Sequence, residues 1–241
     1  MERPPTFNGK KPILELITIL VPEVDNDTIF HTPYAVFHLP QFDLRKKPSF
    51  DRPYTLAYIA THCVKTREEM FSLILKRISH LKVHALGRCS NNRKQIAKDS
   101  PEVDRHINTF FKPGRDNCDH NHVVFQNYKF AFVLENNNKT NGYVTEKIVE
   151  AIEGGAVPIY WGGGSFLYTI FNKNAIIRVE DFESMEACAD HVAFLNSNRK
   201  AYEKVANAYP FVGEGIPDMF KQRNSKLIQR IASVLRERLP L

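Results

Sequence analysis

The sequence predicts an α/β protein built on a doubly wound parallel β-sheet. Short apolar runs typical of buried strands alternate with amphipathic helical segments along most of the chain. Predicted strands cover residues 53–60, 83–86, 128–134, 156–160 and 175–179, and predicted helices cover 66–81, 143–153, 184–196 and 218–238. Strands that are separated by helices pair in parallel, because each crossover returns the chain in the same direction.

The most informative segment is a β-α-β unit at residues 130–163. A buried strand ends in Glu135 and Asn136, a helix is predicted to begin at Tyr143, and the next strand leads into a glycine-rich turn. Ligands of such sheets bind at the carboxyl ends of the strands, where a helix N-terminus offers N–H groups to an anion. We therefore expect a phosphate-bearing ligand at this edge.

Two cations support that expectation, since each lies at the start of a predicted helix. Lys147 and Arg67 there oppose the positive end of the helix dipole, unless a nearby anion attracts both charges. A solvated helix lysine is the less favoured interpretation of Lys147. Glu135 and Asn136 follow a buried strand, where an unpaired carboxylate is costly, so they must meet protein partners or a ligand.

Two further residues of this unit have an ordinary structural explanation. Glu146 is favourable at a helix start because of the dipole alone, and Thr145 is a common capping residue. Their pattern by itself assigns them no contact with a ligand.

Several segments resemble the α1,3/4-fucosyltransferases, glycosyltransferase family 10. The resemblance is carried by Glu135-Asn136 after an apolar strand, by Tyr143-Val144-Thr145-Glu146-Lys147, and by Val157-Pro158 before the glycines. Residues 56–63, followed by Arg67, and residues 83–89 also look like family segments. Together these segments span about residues 53 to 195.

The resemblance implies a Rossmann-like doubly wound parallel sheet that forms the C-terminal, donor-binding half of a GT-B glycosyltransferase. Arg67 and Lys147 would bind the diphosphate of GDP-fucose, and Asn136, Tyr143 and Glu146 would contact nucleotide or sugar. Glu135 and Thr145 complete the candidate donor-binding set.

The implied reaction is an inverting, metal-independent transfer of fucose from GDP-fucose to a hydroxyl of a glycan or glycoprotein. An α1,3 linkage to N-acetylglucosamine is the expected product. Cationic side chains at the diphosphate would stabilise the departing GDP, so neither a metal nor a cofactor is expected.

The family also carries an acceptor-binding domain that supplies a general base. We expect residues 1–52 to be a short remnant of the acceptor side and 53–241 to be the donor domain, with 218–238 as a covering helix. The general base is then expected outside this chain, and Glu15 and Glu23 are the first carboxylates to consider within it. A catalytically inactive GDP-sugar-binding module is the alternative.

Two possible metal sites are less favoured. Asp25 and Asp27 after an apolar run could form the Asp-x-Asp site of a metal-dependent glycosyltransferase. The cluster at residues 118–122 crowds its Cys, Asp and His ligands without zinc-finger spacing, which is more typical of a polar loop.

Composition agrees with a globular protein, and its positive charge suits an anionic ligand, although a slightly basic soluble protein would have the same composition. The chain has 241 residues, 43% of them hydrophobic, with a net charge of +6. The basic residues are scattered and carry no nucleic-acid motif, so no nucleic-acid partner is expected. No apolar run is long enough for a transmembrane segment, and residues 1–5 are not a signal peptide.

The compartment stays open at this point. The resemblance implies the Golgi lumen or membrane in a eukaryote, with the anchor absent from this chain, and the cytoplasm in a bacterium. Sequons at Asn26 and Asn138 fit a secretory protein. The four cysteines could be free buried thiols or could form disulfides.

Overall fold

The computed structural model describes residues 47–78, 82–90, 101 and 121–213. Its centre is a five-stranded sheet in the order β2-β1-β3-β4-β5, with all neighbouring pairs parallel. The strands are β1 (Tyr54–Tyr58), β2 (Val83–Ala85), β3 (Tyr128–Leu134), β4 (Val157–Trp161) and β5 (Ile177–Arg178). The helices are α1 (Lys65–Ile78), α2 (Asn121–Phe125), α3 (Glu146–Glu153), α4 (Leu167–Ile170), α5 (Met185–Ser197) and α6 (Arg199–Ala206).

Strand β3 shows why the sheet is covered on both faces. Its seven residues are all buried, and successive side chains point to opposite faces. Phe130, Phe132 and Leu134 pack with α1, α5 and α6, whereas Ala131 and Val133 pack with α2, α3 and α4. The predicted doubly wound α/β fold is therefore confirmed.

The strand order places the ligand crevice. From β1 the chain crosses to β2 on one side and then returns to β3 on the other, so the order reverses between β1 and β3. The crevice of an open α/β sheet lies at such a reversal, outside the carboxyl ends of the strands. Here that position lies beyond Tyr58 and Leu134.

Some predicted boundaries were wrong. The helix expected to begin at Tyr143 begins at Glu146, because Thr145 is extended, with φ −107° and ψ −177°. Strand β1 ends at Tyr58 before the predicted residue 60, and β5 keeps only two residues of the predicted 175–179.

Ser184 caps α5 by accepting a hydrogen bond from the Ala187 N–H at 3.1 Å.

Residues 47–52 pack on the sheet domain. The Arg52 guanidinium donates to the carbonyl oxygens of Phe125 at 3.0 Å and Tyr128 at 2.8 Å. Asp51 forms an ion pair with Arg199 on α6. The predicted covering helix at 218–238 and the remaining residues 1–46 lie outside the described residues.

Across the part of the chain that the structure describes, every helix is too short or too polar to traverse a lipid bilayer.

Candidate functional site

Seven residues proposed from the sequence come together at the reversal between β1 and β3. Arg67 lies in the first turn of α1, after β1, and Glu135 and Asn136 follow β3 directly. Tyr143, Thr145, Glu146 and Lys147 lie in the approach to α3 and in its first turn. The sequence spacing and the strand order thus converge on one edge of the sheet.

Glu135 is the centre of this site and has no exposed surface. Its carboxylate accepts hydrogen bonds from the Thr145 N–H at 2.8 Å, the Thr145 hydroxyl at 2.9 Å and the Tyr160 hydroxyl at 3.0 Å. Lys147 Nζ lies 3.3 Å from Oε2 of Glu135. The partners that a carboxylate after a buried strand requires are therefore supplied by the protein.

Lys147 is held by three oxygen atoms. Its Nζ donates to the Thr145 hydroxyl at 2.8 Å and to carboxylate oxygens of Glu135 and Glu146 at 3.3 Å each. Burial alone would lower the pKa of Lys147, but the carboxylates of Glu135 and Glu146 raise it above its usual value. The lysine is therefore a permanent cation, and its side chain keeps 24% of its surface exposed.

Arg67 joins the ends of β1 and β3. Its guanidinium donates to the carbonyl oxygens of His62 at 3.0 Å and Glu135 at 3.1 Å, and to Oδ1 of Asn136. Burial lowers the pKa of Arg67, partly offset by nearby Tyr58 and Glu135, from a normal value so high that the side chain stays charged. Only 2% of this residue is exposed.

Burial divides the site into two layers. Arg67, Glu135 and Thr145 are buried, whereas Asn136, Tyr143, Glu146 and Lys147 are partly exposed. Tyr143 lies near enough to Arg67 and Lys147 to influence the pKa of both, so its phenol belongs to the same cluster. The exposed layer can contact a ligand, and the buried layer holds it in place.

Thr145 lies at the N-cap position of α3 without capping it. Its side chain makes no capping hydrogen bond, because the hydroxyl is used by Glu135 and Lys147. The sequence-based interpretation of Thr145 as a simple cap is wrong. Its backbone N–H is also bonded to Glu135, which keeps Thr145 extended and delays the helix to Glu146.

Sequence reasoning missed Tyr160 and Gly162 as parts of the site. Tyr160 is fully buried on β4. A buried tyrosine hydroxyl needs a hydrogen-bond partner, so a tyrosine in a predicted buried strand was the signal that the sequence offered. Gly162 has φ +125°, and a Cβ atom there would lie 2.9 Å from Cβ of Glu135. Only glycine fits this close approach.

The cysteines are paired in part. Cys63 and Cys89 form a disulfide, Cys188 is free and buried, and Cys118 lies outside the described residues. Two other sequence-derived candidates, Asp25 with Asp27 and the cluster at 118–122, also lie outside them.

Comparison with known proteins gives a family match whose range covers the candidate site. Residues 50–207 match the family model described as glycosyltransferase family 10 (fucosyltransferase), C-terminal. The matched range includes all seven proposed site residues.

Individual relatives agree with the family match. An α-(1,4)-fucosyltransferase of Arabidopsis thaliana is 30% identical over 150 residues, which is 60% of this chain and 35% of the relative. An α-(1,3)-fucosyltransferase of Helicobacter pylori is 37% identical over 75 residues, 31% of this chain and 15% of the relative. This chain therefore spans about a third or less of the length of these relatives.

The fold is also similar to solved structures. A crystal structure of an α1,3-fucosyltransferase with GDP superposes with a TM-score of 0.61 at 20% identity, covering 88% of this chain and 66% of the other. The same type of enzyme with GDP-fucose gives a TM-score of 0.59. The likeness shows a Rossmann-like α/β fold of the kind found in GT-B glycosyltransferases.

Proposed function

Because the chain belongs to glycosyltransferase family 10, the fucosyltransferases, we propose that it binds GDP-fucose and supports fucose transfer to a glycan or glycoprotein hydroxyl. The observation that carries this proposal is the meeting of Arg67, Asn136 and Lys147 at the reversal between β1 and β3. This is the position at which α/β sheets bind nucleotides.

Lys147 is the residue best placed to meet the diphosphate. It is cationic, partly exposed and in the first turn of α3, where backbone N–H groups also favour an anion. A phosphate oxygen would replace Glu146 as one of its three partners, since Glu135 and Thr145 are the buried ones. Asn136, Tyr143 and the freed Glu146 then face the ribose, base or sugar.

Arg67 and Lys147 are also suited to stabilise GDP as it leaves. When the bond between fucose and GDP breaks, negative charge develops on the diphosphate, and fixed cations stabilise it without reorganising. Arg67, in the buried layer of the site, would act through its charge and by holding Asn136. Lys147 would contact the phosphate. On this basis we propose transfer that needs no divalent metal.

The acceptor side needs a general base within hydrogen-bond reach of the attacking hydroxyl, opposite the leaving GDP for inversion. The Arabidopsis thaliana relative is about three times as long as the matched region. We therefore expect the 241-residue chain alone to bind GDP-fucose but to form little product.

The test follows the fucosylated product itself. The chain is incubated with GDP-fucose and an N-acetyllactosamine acceptor, with and without EDTA, and product is measured by mass spectrometry so that donor hydrolysis is not counted. Robust transfer that survives EDTA would place a base within this chain and direct mutagenesis to Glu15 and Glu23. Transfer abolished by EDTA would contradict the metal-independent mechanism.

Fucosylation in the Golgi and an α1,3 linkage to N-acetylglucosamine are finer parts of the same proposal. One relative at 24% identity is a human GDP-fucose protein O-fucosyltransferase 3, so a protein acceptor belongs in the same assay. The acceptor whose mass increases by one fucose decides between a glycan and a protein as the substrate.

A further inference from the structure

The disulfide between Cys63 and Cys89 lies at the edge of the sheet that carries the candidate site. It joins the loop after β1 to the loop after β2, across 26 residues of sequence and a Cα distance of 5.2 Å. Cys89 is 1% exposed, whereas Cys63 is exposed. The bond therefore joins an exposed residue to a buried one.

The residues on both sides of Cys63 hold Arg67. The His62 carbonyl accepts a hydrogen bond from the Arg67 guanidinium at 3.0 Å, and the Val64 carbonyl accepts from the Arg67 N–H at 2.9 Å. Cys63 is thus the central residue of a three-residue segment that fixes both the backbone and the side chain of Arg67.

The loop after β2, which carries Cys89, is itself held in place. The Arg88 N–H donates to the Ala60 carbonyl at 2.8 Å, and Ser90 donates its hydroxyl to Glu68 on α1. A Cβ atom on Gly87 would lie 2.1 Å from the Ala60 oxygen, so the two loops approach as closely as glycine permits. The disulfide covalently links this loop to the segment that holds Arg67.

We propose that the Cys63–Cys89 bond positions Arg67 and thereby makes donor affinity depend on the redox state of the protein. The proposal rests on the proposed function, since Arg67 holds Asn136 and adds charge at the diphosphate. With the bond intact, the His62 carbonyl is fixed where the guanidinium needs it. With the bond broken, an exposed loop gains freedom and Arg67 loses a fixed acceptor.

The chemistry is a thiol–disulfide exchange with a dithiol reductant. A thiolate of the reagent attacks Sγ of Cys63, the bond to Cys89 breaks, and Cys89 leaves as a thiolate that takes up a proton. The second thiol of the reagent then attacks the mixed disulfide and releases Cys63. Two electrons pass to the protein, and the reagent becomes a cyclic disulfide.

The test compares GDP affinity before and after treatment with dithiothreitol, with reduction verified by alkylation and mass spectrometry. We expect the dissociation constant to rise on the order of tenfold, as for a weakened hydrogen bond to a charged group. Cys188→Ala should respond like the wild type, whereas Cys63→Ser with Cys89→Ser should bind as weakly as the reduced wild type and ignore dithiothreitol.

A disulfide with a purely structural role would not have a redox effect that depends on Arg67. In an Arg67→Ala background, reduction should change GDP affinity no further, because the bond acts through Arg67. Equal affinity of the oxidised and verified reduced proteins would overturn the proposal, and so would an undiminished redox effect in Arg67→Ala.

Hydrogen–deuterium exchange separates this proposal from the function on which it rests. Reduction should accelerate exchange at residues 59–70 and leave residues 128–134 unchanged. If the oxidised chain binds no GDP, the proposed function fails while the exchange comparison still tests the positioning of Arg67. Unchanged exchange at 59–70 would refute the positioning role even if GDP binds.

Discussion

Lys147 Nζ lies 3.3 Å from a carboxylate oxygen of Glu135, a residue with no exposed surface. The buried charge of Glu135 is thus neutralised by a lysine whose own side chain reaches the surface. This pair links the interior of the domain to the face that we expect to contact the donor. It also explains how a cation is tolerated in the first turn of α3 before any ligand binds.

The first prediction concerns Lys147. Lys147→Ala should weaken GDP binding by about 1.5 to 3 kcal/mol, the usual effect of losing a hydrogen bond to a charged group. Calorimetry measures the affinity, and Lys139→Ala, an exposed lysine in the preceding loop, is the matched control. Unchanged affinity in folded Lys147→Ala, or an equal loss in both variants, would remove Lys147 from the site.

The second prediction concerns Glu135. Glu135→Ala should lower the free energy of unfolding by about 3 to 5 kcal/mol, because Lys147 and the buried donors of Thr145 and Tyr160 lose their acceptor. Glu146→Ala removes the other carboxylate paired with Lys147, but it lies nearer the surface and should cost only about 1 kcal/mol or less. Urea unfolding measures both, and equal losses would contradict the central role of Glu135.

The third prediction separates close packing from backbone strain. Gly162→Ala and Gly213→Ala both place a side chain at a positive φ, of +125° and +85°. A Cβ at 162 would lie 2.9 Å from Cβ of Glu135, whereas at 213 none of the described residues has an atom within 4 Å. We expect about 1 kcal/mol of destabilisation at 213 and several kcal/mol at 162. Equal thermal shifts in the two variants would show that the contact with Glu135 has no energetic weight.

The fourth prediction concerns pH. Burial raises the pKa of Glu153, at the end of α3, from 4.5 to about 7. Between these pH values the folded state keeps a proton that the unfolded state has lost, so the contribution of Glu153 to stability falls as pH rises from about 4.5 to about 7 and is level above that.

Glu153→Gln removes this titration. After allowance for solvent screening, it should increase the unfolding free energy at pH 8 by about 1 to 2 kcal/mol relative to wild type and change it little at pH 4. Glu183→Gln, at an exposed carboxylate, is the control. A stabilisation that is the same at both pH values would show that Glu153 does not titrate in this window.

The sequence was sufficient for the five strands, for α1, α3 and α5, and for the edge of the sheet at which the candidate residues meet, but the short helices α2, α4 and α6 were not predicted. Apolar runs and helix signals are local, so β3, β4 and α5 were predicted within a residue or two. The candidate site residues were also chosen from local motifs. Their convergence then follows from the parallel sheet, because all strands end at the same edge.

The start of α3 could not be predicted, because a tertiary contact decides it. The N–H and hydroxyl of Thr145 bond to Glu135, ten residues earlier, and this holds the chain extended where local propensity favours helix. Tyr160 likewise contacts Glu135 across 25 residues. Partners at such separations, like the pairing of Cys63 with Cys89, depend on the fold rather than on any local pattern.

The most direct test of the account is a calorimetric titration of the oxidised wild-type chain with GDP, and with UDP under the same conditions. We predict one site for GDP in the micromolar to millimolar range typical of such ligands, and far weaker binding of UDP. Lys147→Ala should reduce the GDP signal, whereas Lys139→Ala should preserve it. No binding of GDP, or equal binding of GDP and UDP, would contradict a GDP-fucose site between β1 and β3.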